Sequence, residues 1–425
     1  MRTSIRITRC GLANNRLWTR LYDWVFQLAI GIACSMGQEE PERPGDRVLK
    51  PSTARGANQN RAANWQTMPE SIYTGPVGSN REDPPDMTEQ AIDYRDCDRL
   101  IWEEELADFV PDRILDAHIH CYWHSNHPDP AGGGRPEDTL ETLNSWAEVL
   151  YPGRRMQYLI LGTPYPGTDV ARHVESVRQE IQGVPGIRHN RMVTPACRLE
   201  DIQRDLQNPQ FVGLKPYRSY SVTGDIAQCR IHEFLPHEQL ELANQHGWWV
   251  TMHLSRFDGC ADKHNLDDLE EYTTRRYPNI RWILAHCARS FTYWPIRTAV
   301  ERLRDMPNIH YDTSAVTDIR PYVTLLTRED PGRIFWGSDG VGAAFFHGHY
   351  AALGRAWQHF DADLAGLQFP HCDGRPILSV YEQLMALKFA VEVAGLSREQ
   401  VEGIFWKNAA TALGIGEDEG GANGR

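Results

Sequence analysis

The feature that most limits what this chain can fold into is a repeat. Between Arg113 and Asp339, a short apolar run gives way eight times to a polar or Gly/Pro break and then to a helical pattern. The runs are Arg113–His118, Gln157–Gly162, Arg191–Ala196, Phe211–Lys215, Trp248–His253, Arg281–His286, Asn308–Thr313 and Arg333–Asp339. Near-continuous apolar runs are expected of parallel strands buried on both faces. The intervening stretches carry helix signals. Glu137–Tyr151 keeps Leu140, Leu143, Trp146 and Leu150 on one face, and Pro236 opens a helix that Gly247 closes. Leu266–Tyr277 and Thr298–Arg304 each run into a Pro-Asn pair ahead of a strand, and Ser397 with Gln400 forms a capping box before Val401–Leu413.

This alternation predicts an α/β chain folded as a (β/α)8 TIM barrel over residues 113–415. An open doubly wound sheet is the rival, but it wants a glycine-rich phosphate turn after its first strand. Here that strand runs into Asp116-Ala117-His118-Ile119-His120.

Residues 1–86 are a different kind of sequence. Their Gln38–Pro85 stretch is rich in Pro, Gly, Asn, Gln, Ser and Arg, a composition that buries too little surface to order itself. They read as a low-complexity, disordered extension, followed by a lead-in segment (87–112), the barrel, and a disordered tail (416–425). Five arginines before the apolar run Trp24–Ala33 resemble a targeting segment, so secretory or lipid-anchored export through residues 1–35 stands beside a cytoplasmic location. A natural start at Met87 is a third reading. The run is too short to span a bilayer, so no transmembrane span is expected. Nine scattered cysteines without a CxxC pair read as reduced thiols. A formal net charge of -13 with no basic run argues against nucleic acid as a partner.

In such a barrel the active site lies at the carboxyl ends of the strands. The first strand ends in His118 and His120, the fourth in Lys215, the fifth in His253, the sixth in His286 and the eighth in Asp339. Imidazoles and a carboxylate gathered at one mouth form a ligand set suited to zinc, iron or manganese. Arg218, Arg256 and Arg289 follow Lys215, His253 and His286 by three residues each, and a guanidinium fork matches a carboxylate. They point to a small anionic substrate. His124, His127, His347 and His349 lie beyond the strand ends and read as rim residues. The long segment Ala343–Ile377, without a clear helix, reads as a lid or a functional loop.

The pattern DxHxH on the first strand, His on the fifth and sixth and Asp on the eighth resembles the amidohydrolase superfamily. The closest likeness is to the amidohydrolase-related branch that includes aminocarboxymuconate-semialdehyde decarboxylase, over roughly Arg113 to Ile415 and including the closing stretch Phe405–Gly414. The resemblance implies that His118, His120, His253 and Asp339 bind one divalent metal ion, Zn2+ in first place and Mn2+ or Fe2+ otherwise. It implies that His286 is the acid/base group and that Asp339 also accepts a proton. Lys215 departs from the decarboxylase pattern. It is either a cation facing substrate or, carboxylated, a bridge to a second metal, and some lactonases of the branch need no metal. The implied activity is hydrolysis of a C–O or C–N bond by metal-activated water. Non-oxidative decarboxylation of an unsaturated or aromatic carboxylate is the alternative, and a catalytically inactive barrel acting as a binding protein is an alternative of another class. A homodimer is a further implication.

Overall fold

The eight strands pair in sequence order into one parallel sheet, β1 to β8. They are β1 Arg113–His120, β2 Arg155–Leu161, β3 Ile187–Val193, β4 Phe211–Pro216, β5 Trp249–Met252, β6 Arg281–Leu284, β7 Ile309–Asp312 and β8 Ile334–Phe335. The computed structural model describes residues 92–127, 137–163, 165–362, 370–417 and 419. The extension 1–86 and most of the tail lie outside the described residues. The sheet curls until the chain beyond β8 meets β1: the Ala117 N–H donates to the Trp336 carbonyl (2.9 Å) and the Asp339 N–H to the His118 carbonyl (2.8 Å). The result is the expected TIM barrel.

Alternate strand residues fill its interior. Leu115, Ala117, Leu159, Leu161, Trp249, Ile283 and Phe335 pack together, and Ala409, Ala410 and Leu413 of the last helix close them from below. The other strand face packs against the helical layer in a second, larger core. Helix ends follow the sequence signals. Pro236 and Gly247 bound the helix His237–His246, with Gly247 left-handed at φ 64°, and the Ser397–Gln400 capping box forms. No helix among the described residues is long and apolar enough to cross a membrane.

Four departures from the sequence reading concern the strands and the segment that follows them. β3 begins four residues before the predicted Arg191 and ends at Val193, because Arg188, His189 and Asn190 are polar residues in a buried ladder. β6 stops at Leu284, and β8 pairs over two residues only. The segment Ala343–Ile377 contains an antiparallel hairpin, β9 Gly348–Leu353 with β10 Ala356–Asp361. Its base is tied to the lead-in: Asp98, at the foot of the helix Asp96–Ile101, sits 2.9 Å from His347 Nε2 and accepts the Leu378 N–H.

Candidate active site and metal centre

β1 supplies the first two imidazoles by breaking its own alternation. With Leu115 and Ala117 facing the interior, a regular strand would turn His118 and His120 outward. The pairing with β2 shifts register between Asp116 and Ile119, a bulge that reverses the phase. Ile119 then joins the outer core and both histidines face the mouth. Asp116, fully buried, secures the bulge. It accepts the His118 N–H (3.0 Å) and the Ser338 N–H (2.9 Å) on one oxygen and the Ser338 hydroxyl on the other. Burial pushes its carboxyl up to about 6 despite those bonds.

The segment after β8 brings the carboxylate. Asp339 holds φ 74°, a left-handed conformation that Asp and Asn tolerate better than most residues. Its Oδ1 lies 3.1 Å from His118 Nε2 and 3.2 Å from His120 Nε2. The backbone approaches His118 so closely at Gly337 that a Cβ there would stand 2.8 Å from the His118 Cβ. Gly337→Ala is therefore expected to cost about 1–3 kcal/mol of stability by overpacking. It should also weaken metal retention, read as a lower melting temperature and less metal per chain after dialysis.

The ring tautomers are set by what the Nδ1 atoms meet. His118 Nδ1 lies 2.8 Å from Asp312 Oδ2, His120 Nδ1 2.8 Å from the Gly162 carbonyl and His253 Nδ1 3.0 Å from the Leu254 carbonyl. His286 Nδ1 faces the Ser314 carbonyl (3.1 Å) and hydroxyl (2.9 Å). A carbonyl only accepts, and Asp312 is held well below the usual carboxylate range, mainly by His118 acting against burial. All four Nδ1 atoms therefore donate, which leaves each Nε2 as the ligand atom of the neutral ring. Imidazoles that bind a metal are ordinarily oriented in this way by an outer partner. The His118, His120 and Asp339 ligand atoms lie within 4.8 Å of one another, so this group can hold a divalent ion. The donor set, two imidazole nitrogens and one carboxylate, fits such an ion. His253 stands beside them through His286, with ring centroids 4.9 Å apart, and His286 in turn lies 5.0 Å from His118.

His286 arrives on an unusual backbone. His286, Cys287, Ala288 and Arg289 hold φ of 59°, 51°, 59° and 60° in succession, a left-handed turn without glycine. Each such residue costs roughly 1–2 kcal/mol, and strain of this kind persists only where the surroundings impose it. Asp312 Oδ1 accepts the His286 N–H (2.9 Å), and the Ser290 N–H closes the turn on the His286 carbonyl (2.8 Å). Burial lowers the His286 imidazole to about 4, offset in part by Asp339, so the ring is neutral near pH 7.

Lys215, at the end of β4, is 1% exposed. Burial lowers its ammonium to about 8, against the pull of Asp312 and Asp339. The three arginines separate. Arg256 Nε pairs with Asp262 (2.7 Å) and its Nη1 donates to the Gln228 carbonyl, so it braces the loop after β5. Arg289 donates to the Arg256 carbonyl, and its buried Nε has no acceptor among the described residues. Burial and the like charge of Arg218 lower it to about 9. Arg218 also donates to the Ile226 carbonyl (2.9 Å). His347 is buried against Asp98, and His127 Nε2 lies 3.1 Å from the Pro166 carbonyl, so neither joins the cluster.

Asp312, Ser314, Ser338 and Tyr217 are site residues that the sequence reading passed over. Asp312, the penultimate residue of the seventh apolar run and the last of β7, is open to the same strand-end argument as the histidines. Tyr217, whose hydroxyl donates to the Gly162 carbonyl beside His120, carries no comparable signal.

The family model described as Amidohydrolase matches residues 116–415. No curated protein matches the chain. Among solved structures, 5-carboxyvanillate decarboxylase from Sphingomonas paucimobilis is similar at 15% identity and TM-score 0.46, covering 72% of this chain and 100% of that one. Amidohydrolase 2 from Bifidobacterium longum subsp. infantis is similar at 12% identity and TM-score 0.45, covering 72% and 100%. A dihydroxybenzoic acid decarboxylase from Polaromonas sp. JS666, with bound manganese and 2-nitroresorcinol, is similar at 13% identity and TM-score 0.43, covering 72% and 97%. Over its barrel, this chain belongs to the amidohydrolase family, whose members include hydrolases and decarboxylases.

Proposed function

We propose that this chain is a metal-dependent hydrolase that cleaves a C–O or C–N bond beside a carbonyl in a small anionic substrate. The observation that carries the reading is the convergence of His118 Nε2, His120 Nε2 and Asp339 Oδ1, with both Nδ1 atoms already committed elsewhere. His253 is the proposed fourth ligand. The ion, zinc in first place with manganese or iron as alternatives, would polarise a carbonyl and acidify water at the mouth.

The chain's own groups serve the remaining needs. His286 offers a free Nε2 to accept a proton from water and return it to the leaving group, since its Nδ1–H is held by Ser314. Asp339 is the second proposed proton acceptor, and Lys215 presents a buried cation. Arg289 and Arg218 form the proposed anion subsite: a buried guanidinium whose main charged neighbour is another guanidinium lacks a counter-charge that a substrate carboxylate supplies. Arg256 serves it indirectly, through the carbonyl that holds Arg289.

Protein purified without added metal or chelator is expected to carry about one ion per chain by elemental mass spectrometry. A panel of lactones, amides and aryl carboxylates, assayed for acid release and for carbon dioxide, tests the reaction. Hydrolysis without carbon dioxide is expected, whereas carbon dioxide release makes the chain a carboxy-lyase. His286→Asn should retain the metal and lose about 10²–10⁴-fold in turnover. Metal-replete protein inert on every class would leave a binding barrel.

A further inference from the structure

We infer that the β9–β10 hairpin is a clamp that holds the His286 ring in its working orientation, acting through Phe291. The inference rests on the reading of His286 as the acid/base group. Two independent observations meet here. The first is the glycine-free left-handed turn at His286–Arg289, which is not self-supporting and must be imposed by its neighbours. The second is a stack of aromatic rings running from that turn to the hairpin. The Phe291 ring lies on the His286 imidazole at 5.3 Å and 29°. Trp357 of β10 packs on Phe291 at 4.3 Å and Tyr350 of β9 at 5.1 Å.

An imidazole held only at Nδ1 can still rock about that hydrogen bond, and a flat neighbour on its face removes the freedom. Phe291 has no polar side-chain anchor of its own, so the two hairpin rings set its place. The hairpin is itself pinned on both sides of the stack. The Arg355 guanidinium at its tip sits 4.0 Å over the Trp294 ring. Nearer its base, the Thr317 hydroxyl bonds both the N–H and the carbonyl of Tyr350, each at 3.2 Å. Trp357 and Phe291 are thus positioning residues, which reach the chemistry only by holding His286.

The test is hydrogen exchange by mass spectrometry on the full chain, with Trp357→Ala against wild type. Amides of residues 285–291 should exchange about tenfold faster in the variant, while β6 and the helix Trp294–Arg304 keep their rates. On whichever lactone, amide or aryl carboxylate is turned over, kcat should fall about tenfold with KM nearly unchanged. Metal content should not change, and Trp357→Phe should restore both readouts. Unchanged exchange at 285–291 overturns the clamp, as does exchange that rises equally in β6, which marks general loosening. Faster exchange at 285–291 alone, together with a His286→Asn variant of full activity, would leave the clamp standing and remove the acid/base reading.

Discussion

Asp339→Asn is expected to empty the metal site and lower turnover by more than about 100-fold, since loss of even an outer partner of a ligand costs 10–100-fold. The substitution isolates charge from shape. Asparagine has nearly the same volume, and it is one of the few residues that tolerate the φ of 74° found here. The hydrogen bond from the Asp339 N–H to the His118 carbonyl, which closes the barrel, involves no side chain and persists. What disappears is the carboxylate that, among the described residues, faces both His118 Nε2 and His120 Nε2. An uncharged amide is a poor ligand for a divalent ion, and its NH2 group would point at an imidazole lone pair. Elemental analysis after dialysis reads the metal, and a melting curve checks that the fold remains. His120→Ala should reproduce the loss by removing a nitrogen ligand instead. A folded Asp339→Asn protein that keeps both metal and activity would sink the site assignment.

His118, His120, His253, His286, Lys215 and Asp339 stand at or near the ends of apolar runs, and barrel topology converts that one-dimensional landmark into a place. The end of every apolar run is the same rim. Asp312 belongs to the same rim, since β7 ends at this residue, which orients His118 and holds the His286 turn. What no sequence pattern shows is the backbone beneath these groups. The β1 bulge that turns both histidines inward lies in residues that read as a regular strand, and its lock on Asp116 comes from Ser338, 222 positions away. The left-handed turn after β6 has no glycine to announce it. Likewise β3 was displaced in the sequence reading because ladder residues such as His189 and Asn190 are fully buried though polar. The three arginines share one spacing and yet take different roles, because Asp262 and the Gln228 carbonyl meet only Arg256.

The largest effect on stability is expected from acid acting on two histidines outside the site. His173, on the helix Val170–Ile181, and His189, on β3, are wholly buried where the first packs over the second. Among the described residues neither ring nitrogen of His173 has a hydrogen-bond partner, nor does His189 Nε2. Burial lowers both imidazoles to about 3. In the unfolded chain each titrates near 6.5, so between roughly pH 6.5 and 3 the unfolded state binds more protons and stability is lost as the pH is lowered. At pH 5 the loss is about 2 kcal/mol for each histidine, a large share of a typical folding free energy of 5–15 kcal/mol. Asp116, pushed up to about 6, titrates in the opposite sense over the same window, but it is common to wild type and variant and cancels in their difference. His173→Leu tests the effect cleanly, because an apolar group there leaves no hydrogen bond unmade. Urea unfolding at pH 7 and pH 5 should show the variant losing about 2 kcal/mol less than wild type between the two. Equal losses in both proteins would mean that His173 takes up its proton in the folded state and is not the source of the acid sensitivity.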